Sequence, residues 1–105
     1  MIYTTTETVP GREIEAVLGV VNGNVVQSKH VGRDIMAGLK GIVGGELKGY
    51  TEMLTEARNI AIERLVEEAQ GLGADAVVGI RFTTSSVTDG ASEILVFGTA
   101  VKLSS

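Results

Sequence analysis

Cysteine is absent from this 105-residue chain, which excludes disulfides, thiolate nucleophiles and every thiolate metal site at once. Stability must then come from packing or from assembly. Aromatic residues are scarce, since Tyr3, Tyr50, Phe82 and Phe97 are all there are. The core is therefore aliphatic, and no platform for stacking nucleobases is on offer. Histidine occurs once, as His30, and with no second histidine and no serine pattern about a nucleophile, a catalytic triad has no support. Basic charge is short as well: nine lysines and arginines face thirteen acids, a formal charge of -4. That sign is wrong for non-specific binding to a phosphate backbone, so no nucleic-acid partner is expected. No apolar run approaches the ~20 residues that cross a bilayer. Met1 to Pro10 reads as a polar Thr/Glu stretch rather than a leader. A soluble cytoplasmic protein with no membrane partner is the expectation.

What is present is aliphatic residues and glycine. At this length the chain reads as one domain, 1–105, burying about two-thirds of its unfolded surface. Of fourteen glycines, six (Gly32, Gly38, Gly41, Gly44, Gly45 and Gly49) crowd together and mark a joint. Before it, Ala16 to Val21 and Val25 to Ser28 are rich in β-branched residues and read as strand. Asn22-Gly23 between them fits either a tight hairpin or a bulge in one long strand, with the long strand slightly favoured.

After the joint the period changes. From Glu46 to Leu72, Leu47, Tyr50, Leu54, Ala57, Ala61, Leu65, Ala69 and Leu72 recur at three- and four-residue intervals, which predicts a helix. Glu46 would set a carboxylate against the positive end of its dipole, and Gly71 and Gly73 offer left-handed stops. Glu52, Glu56, Asn59, Glu63 and Glu67 share a stripe facing water. Met53, Ile60, Ile62 and Val66 fall outside the core stripe, so the helix carries more apolar surface than one sheet covers.

Beyond the helix, Ala76, Val78, Ile80 and Phe82 alternate with Val77, Gly79, Arg81 and Thr83, predicting a strand with one mostly apolar face inward. A Ser/Thr stretch and Asp89-Gly90 lead to a second strand, Glu93 to Leu103, apolar on both faces. The expected fold is α+β: an antiparallel sheet packed on one long helix, its other face left wet unless a partner chain covers it.

Several blocks stand in a familiar order: Arg33-Asp34, Gly44-Gly45-Glu46, Tyr50-Thr51, Glu56-Ala57-Arg58 with Arg64, the run Gly73 to Arg81, Glu93, and Gly98-Thr99-Ala100-Val101. Together they resemble the YbjQ family over nearly the whole chain, small bacterial and archaeal proteins sometimes labelled as heavy-metal-binding. The resemblance implies a dodecin-like β-α-β-β subunit assembling into a ring, usually a pentamer. It does not imply a function.

The residues give that metal label little to work with. Heavy metals favour Cys, Met and His, so a soft metal is not expected within one subunit. Carboxylates from Asp34 and Glu46, brought together around a ring axis, would suit a hard divalent cation. The competing reading has Glu46 capping the helix dipole and Asp34 a turn. Gly44-Gly45 opening a helix would form a weak anion cradle, spoiled by Glu46 beside it, with Lys40 and Lys48 ordinary neighbours. Arg58, Arg81, Tyr50 and Thr83 are the candidate ligand-binding set, lining a pocket for a small anion between subunits. Their alternative role is structural, with guanidinium forks pairing Glu56, Glu68 or Glu93 across an interface. Arg64 with Glu68 reads as an i, i+4 surface pair.

Three classes of function follow. The leading one is a homo-oligomeric module that is not an enzyme and binds a small ligand or ion between subunits. A scaffold ring with no small-molecule site is the second. An enzyme using Glu46 and Tyr50, one helical turn apart, is the third.

Overall fold

A computed structural model describes residues 1–28, 48–88 and 90–105. The β-branched runs become β1 (Ile2–Tyr3), β2 (Ile14–Ser28), β3 (Ala76–Thr88) and β4 (Ala91–Leu103), and the heptad-like run becomes α1 (Lys48–Gly71). Four strands form one sheet in the order β1-β3-β4-β2. β4 is antiparallel to both β2 and β3, whereas β1 is parallel to β3, with Ile2 opposite Ala76 and Tyr3 opposite Val77. The sheet is therefore mixed rather than purely antiparallel. Two residues are too short a run to show a period of two, so only the tertiary pairing reveals β1 as a strand.

β2 is one continuous strand through Asn22-Gly23, opposite Phe97 and Val96 of β4, and its irregularities fall instead between Ile14 and Ala16 and between Val17 and Gly19. The Ser/Thr stretch after Phe82 is strand as well. Threonine is β-branched and suits the pleat, and the ladder with β4 continues to Thr88 opposite Ala91.

α1 lies mainly over β2, less over β4 and barely over β3. Ala57, Ala61, Leu65 and Ala69 are fully buried at four-residue spacing, packing with Val21, Val25, Val77, Ile80, Ile94, Val96 and Ala100. Leu54 and Leu72, in the same periodic set, are exposed, because the sheet ends before the stripe does. The acidic stripe Glu52, Glu56, Asn59, Glu63 and Glu67 faces solvent. Small residues let the backbones close in. A Cβ on Gly23 would collide with the Ala61 carbonyl oxygen and stand 2.6 Å from the Leu65 nitrogen. Arg64 Nη1 donates to the Asn24 carbonyl alongside.

The helix stops at Gly73, whose φ of 74° is left-handed. Ala74 N donates to the Ala69 carbonyl (3.1 Å) and Gly73 N to that of Gln70 (2.9 Å), a Schellman cap with half-buried Ala74 against the core. Gly71 stays helical.

Gly79, at φ 63°, sits in a bulge between Val78 and Arg81, and the conformation is one only glycine adopts cheaply. Its consequence reverses the expected alternation. Val77 and Ile80 pack under the helix, while Ala76 and Val78 turn to the opposite face. There they pack with Val101, Leu103, Val9 and Ile14. The segment Met1 to Arg12 is thus an arm that folds over the far face at one end of the sheet. That face is covered at this end, where the sequence pattern predicts a wet surface. Along β2 it is bare, with Val20 70% and Val26 54% exposed. Among the described residues no helix is long and apolar enough to cross a membrane.

Candidate functional site

Because α1 favours the β2 side, the β3 strip of the helix-facing surface is unroofed. The Gly79 bulge places Ile80 and Phe82 on that strip. Ile62 on the flank of α1 forms one wall, and Tyr3, Thr4 and Thr5 of the arm form another, enclosing a cleft of about 200 Å³. Ile80 at its floor is buried, whereas Phe82 and Tyr3 at its mouth are 44% and 49% exposed. The cleft is small beside typical ligand pockets of about 300–1,000 Å³ and has room for a small flat aromatic or a short aliphatic group. It opens to solvent between Phe82 and Tyr3.

The arm that walls it is bonded in place. Thr4 N donates to the Val77 carbonyl (2.9 Å), Ile80 N to that of Thr4 (3.0 Å) and Gly79 N to that of Thr6 (2.8 Å). Thr6 Oγ1 donates to the Thr8 carbonyl (2.6 Å). Arg81 Nη1 reaches back to the carbonyls of Thr5 (2.9 Å) and Ile80 (2.8 Å). A cationic donor between two carbonyls makes stronger bonds than a neutral one, so Arg81 holds the cleft wall from outside.

That placement separates the four expected ligand residues. Arg81 and Thr83 lie on the face away from the helix, opposite Phe97 and Leu95. Tyr50 and Arg58 are on α1, across the sheet, where Arg58 Nη2 is 3.3 Å from Thr55 Oγ1. One chain does not bring them together. Among the described residues none of Arg58, Arg64 and Arg81 has an ion pair with an acid, and Arg64 bonds β2 rather than Glu68. Asp34, Glu46, His30, Lys40 and Gly44-Gly45 lie outside the described residues.

Asp75 is the titratable group that the local structure perturbs clearly. Its Oδ2 accepts the Leu103 amide at 2.9 Å, which lowers its pKa; burial opposes this in part, and Lys102 (Nζ to Oδ1, 3.6 Å) and the charge of Arg12 add to the lowering. Asp75 N in turn donates to the Val101 carbonyl. The group clamps the start of β3 to the end of β4, a structural task. The arm and its cleft escape sequence reasoning because Thr4, Thr5 and Thr6 have no period; the available signal was Gly79 inside a strand pattern, a mark of a bulge.

The described residues do not fit a heavy metal. Soft ions need thiolate, thioether or imidazole sets, and no group of three His, Cys, Asp or Glu comes together among them.

Residues 1–104 match a family model described as "Putative heavy-metal-binding". The chain is 79% identical over 103 residues to a UPF0145 protein of Vibrio campbellii, covering 98% of this chain and 99% of the relative. It is 65% identical over 103 residues to a UPF0145 protein of Thermotoga maritima, covering 98% and 97%. In structure it is similar to a protein of unknown function of the DUF74 family from Pediococcus pentosaceus. The TM-score there is 0.65 at 18% identity, over 99% of this chain and 98% of the other.

Proposed function

Since this chain belongs to the YbjQ (UPF0145) family, a family named for metal but without a described donor set here, we propose that it is a homo-oligomeric binding module for a small, mainly apolar ligand, and not an enzyme. The observation that carries this reading is the cleft between Tyr3, Thr4, Thr5, Ile62, Ile80 and Phe82. Its floor is apolar, its mouth has two aromatic rings, and its lining is almost wholly apolar. Such a site takes a flat or short hydrophobic group. The open side, together with half-buried Ile60, Ile62 and Val66 on the helix, calls for a neighbouring copy, in the ring of about five that the family resemblance implies. Arg81 serves the ligand indirectly, by fixing the arm.

Indole is a suitable probe for ligand binding. Added to the wild-type protein, it raises the melting temperature by the amount RT ln(1 + [L]/Kd) dictates, and Ile62→Glu, which puts a charge into the cleft wall, abolishes the shift. A wild-type protein in which neither indole nor toluene gives a shift removes the cleft as a site and favours a scaffold ring without a ligand.

A further inference from the structure

The walls of the cleft differ in how they are held. Ile62 on α1 and Ile80 at the floor belong to the body of the fold, with Ile80 packed in the core beneath the helix. The opposite wall, Tyr3, Thr4 and Thr5, belongs to the arm. From Met1 to Thr8 the arm has no buried residue: Thr4 is half-buried and the others are exposed. Val9 is the first residue of the chain to enter a core. Just beyond it the backbone turns through Gly11 at φ 84°, with Arg12 N donating to the Val9 carbonyl (3.2 Å). Arg12 Nε then donates to the Ser104 carbonyl (2.9 Å) and Glu13 N to Ser104 Oγ (3.0 Å). The base of the arm is fixed, and Met1 to Thr8 is the part that can move.

The threonine side chains of this part bond within it. Thr6 N donates to Thr4 Oγ1 (3.2 Å), the Thr4 and Thr6 hydroxyls share a bond (2.9 Å), and Thr6 Oγ1 donates to the Thr8 carbonyl (2.6 Å). These bonds travel with the arm and survive when it lifts. What joins it to the body is the backbone pairing with β3, including Thr4 N to Val77, Ile80 N to Thr4 and Gly79 N to Thr6, and Arg81 Nη1 on the Thr5 carbonyl. Bonds of this kind at an exposed edge are replaced by bonds to water at small net cost. A segment with few buried apolar contacts opens locally while the rest stays folded.

We infer that the arm is a strap that the ligand tightens: a small apolar molecule in the cleft closes Met1 to Thr8 onto β3, and its release loosens them. The inference rests on the binding reading above and adds a conformational response to it. A ligand shifts an equilibrium only by binding its two states unequally. Here the inequality is built in, because a molecule resting on Ile62 and Ile80 touches Tyr3, Thr4 and Thr5 only while the strap is down. In that state it also covers the Tyr3 ring, which is half exposed. Coupling of this kind is reciprocal, so the Arg81 bond that holds the strap also strengthens binding.

Amide hydrogen exchange on the wild-type protein tests this, with indole as the probe and conditions in which exchange follows the opening equilibrium. A ligand that needs the strap closed suppresses every opening that releases it by the factor 1 + [L]/Kd, about tenfold at roughly nine times Kd. The Thr4, Gly79 and Ile80 amides, which the arm's bonds protect, are expected to slow by that factor. So are the Leu65 and Val96 amides, which lie in the core and report global unfolding. Slowing at Leu65 and Val96 with Thr4, Gly79 and Ile80 unchanged means a cleft that binds but whose wall does not respond, and overturns the inference. No slowing at either set overturns the binding reading itself, a result distinct from the first.

Discussion

Gly23 and Asp75 show how much of this fold rests on single positions. At Gly23 the helix backbone occupies the space a side chain would need, with the Ala61 carbonyl in direct collision. A backbone cannot step aside as a flexible side chain can, so α1 must lift from β2 and loosen Leu65 and Ala61. Gly23→Ala is therefore expected to lose about 2–3 kcal/mol or more, the upper range for overpacking, read as a lower urea midpoint. Asp75 adds a contribution to stability that depends on pH. Its folded pKa lies below its unfolded value, so the stabilisation is fully present above the ordinary aspartate range and is lost as pH falls through the folded value. Asp75→Asn keeps an oxygen acceptor for the Leu103 amide but not the charge. It is expected to unfold more easily than wild type at neutral pH and to converge with it in strong acid, followed by urea titration at both.

At the scale of elements, the arm is the part whose position decides the cleft. It has a two-residue strand, a few backbone bonds and the Val9 contact with Ala76, Val78, Val101 and Leu103, and Arg81 bonds it from the side. Arg81→Ala removes that bond to Thr5. The change is expected to cost about 1.5–3 kcal/mol of arm stability, the range for hydrogen bonds to charged groups. Hydrogen exchange should then speed up at the Thr4, Gly79 and Ile80 amides and stay unchanged at Leu65 and Val96. The helix was legible because Ala57, Ala61, Leu65 and Ala69 repeat strongly. The arm was not, because what holds it is a set of backbone bonds to β3, which side-chain patterning does not record.

For the whole molecule, the balance of apolar surface is the governing fact. One helix shields the β2 side, the arm shields one end of the other face, and Val20, Val26, Phe82 and Val87 remain outside. Exposed apolar side chains grouped in this way favour burial against a neighbouring chain. The aliphatic excess on the helix is legible in the sequence alone, but the cleft depends on where the helix settles across the sheet.

By itself the sequence determined the α+β class, the long helix and its solvent stripe and the two later strands, because each leaves a repeating pattern of neighbours along the chain, while the continuity of β2 through Asn22-Gly23 was settled by its pairing with β4. It also determined the absence of thiolate chemistry. Tertiary structure alone decided the parallel β1, the switch of faces at Gly79, the separation of Arg58 and Tyr50 from Arg81 and Thr83, and the cleft. Those features come from contacts between segments far apart in the chain, and a single glycine bulge shifts the register on which any local pattern depends.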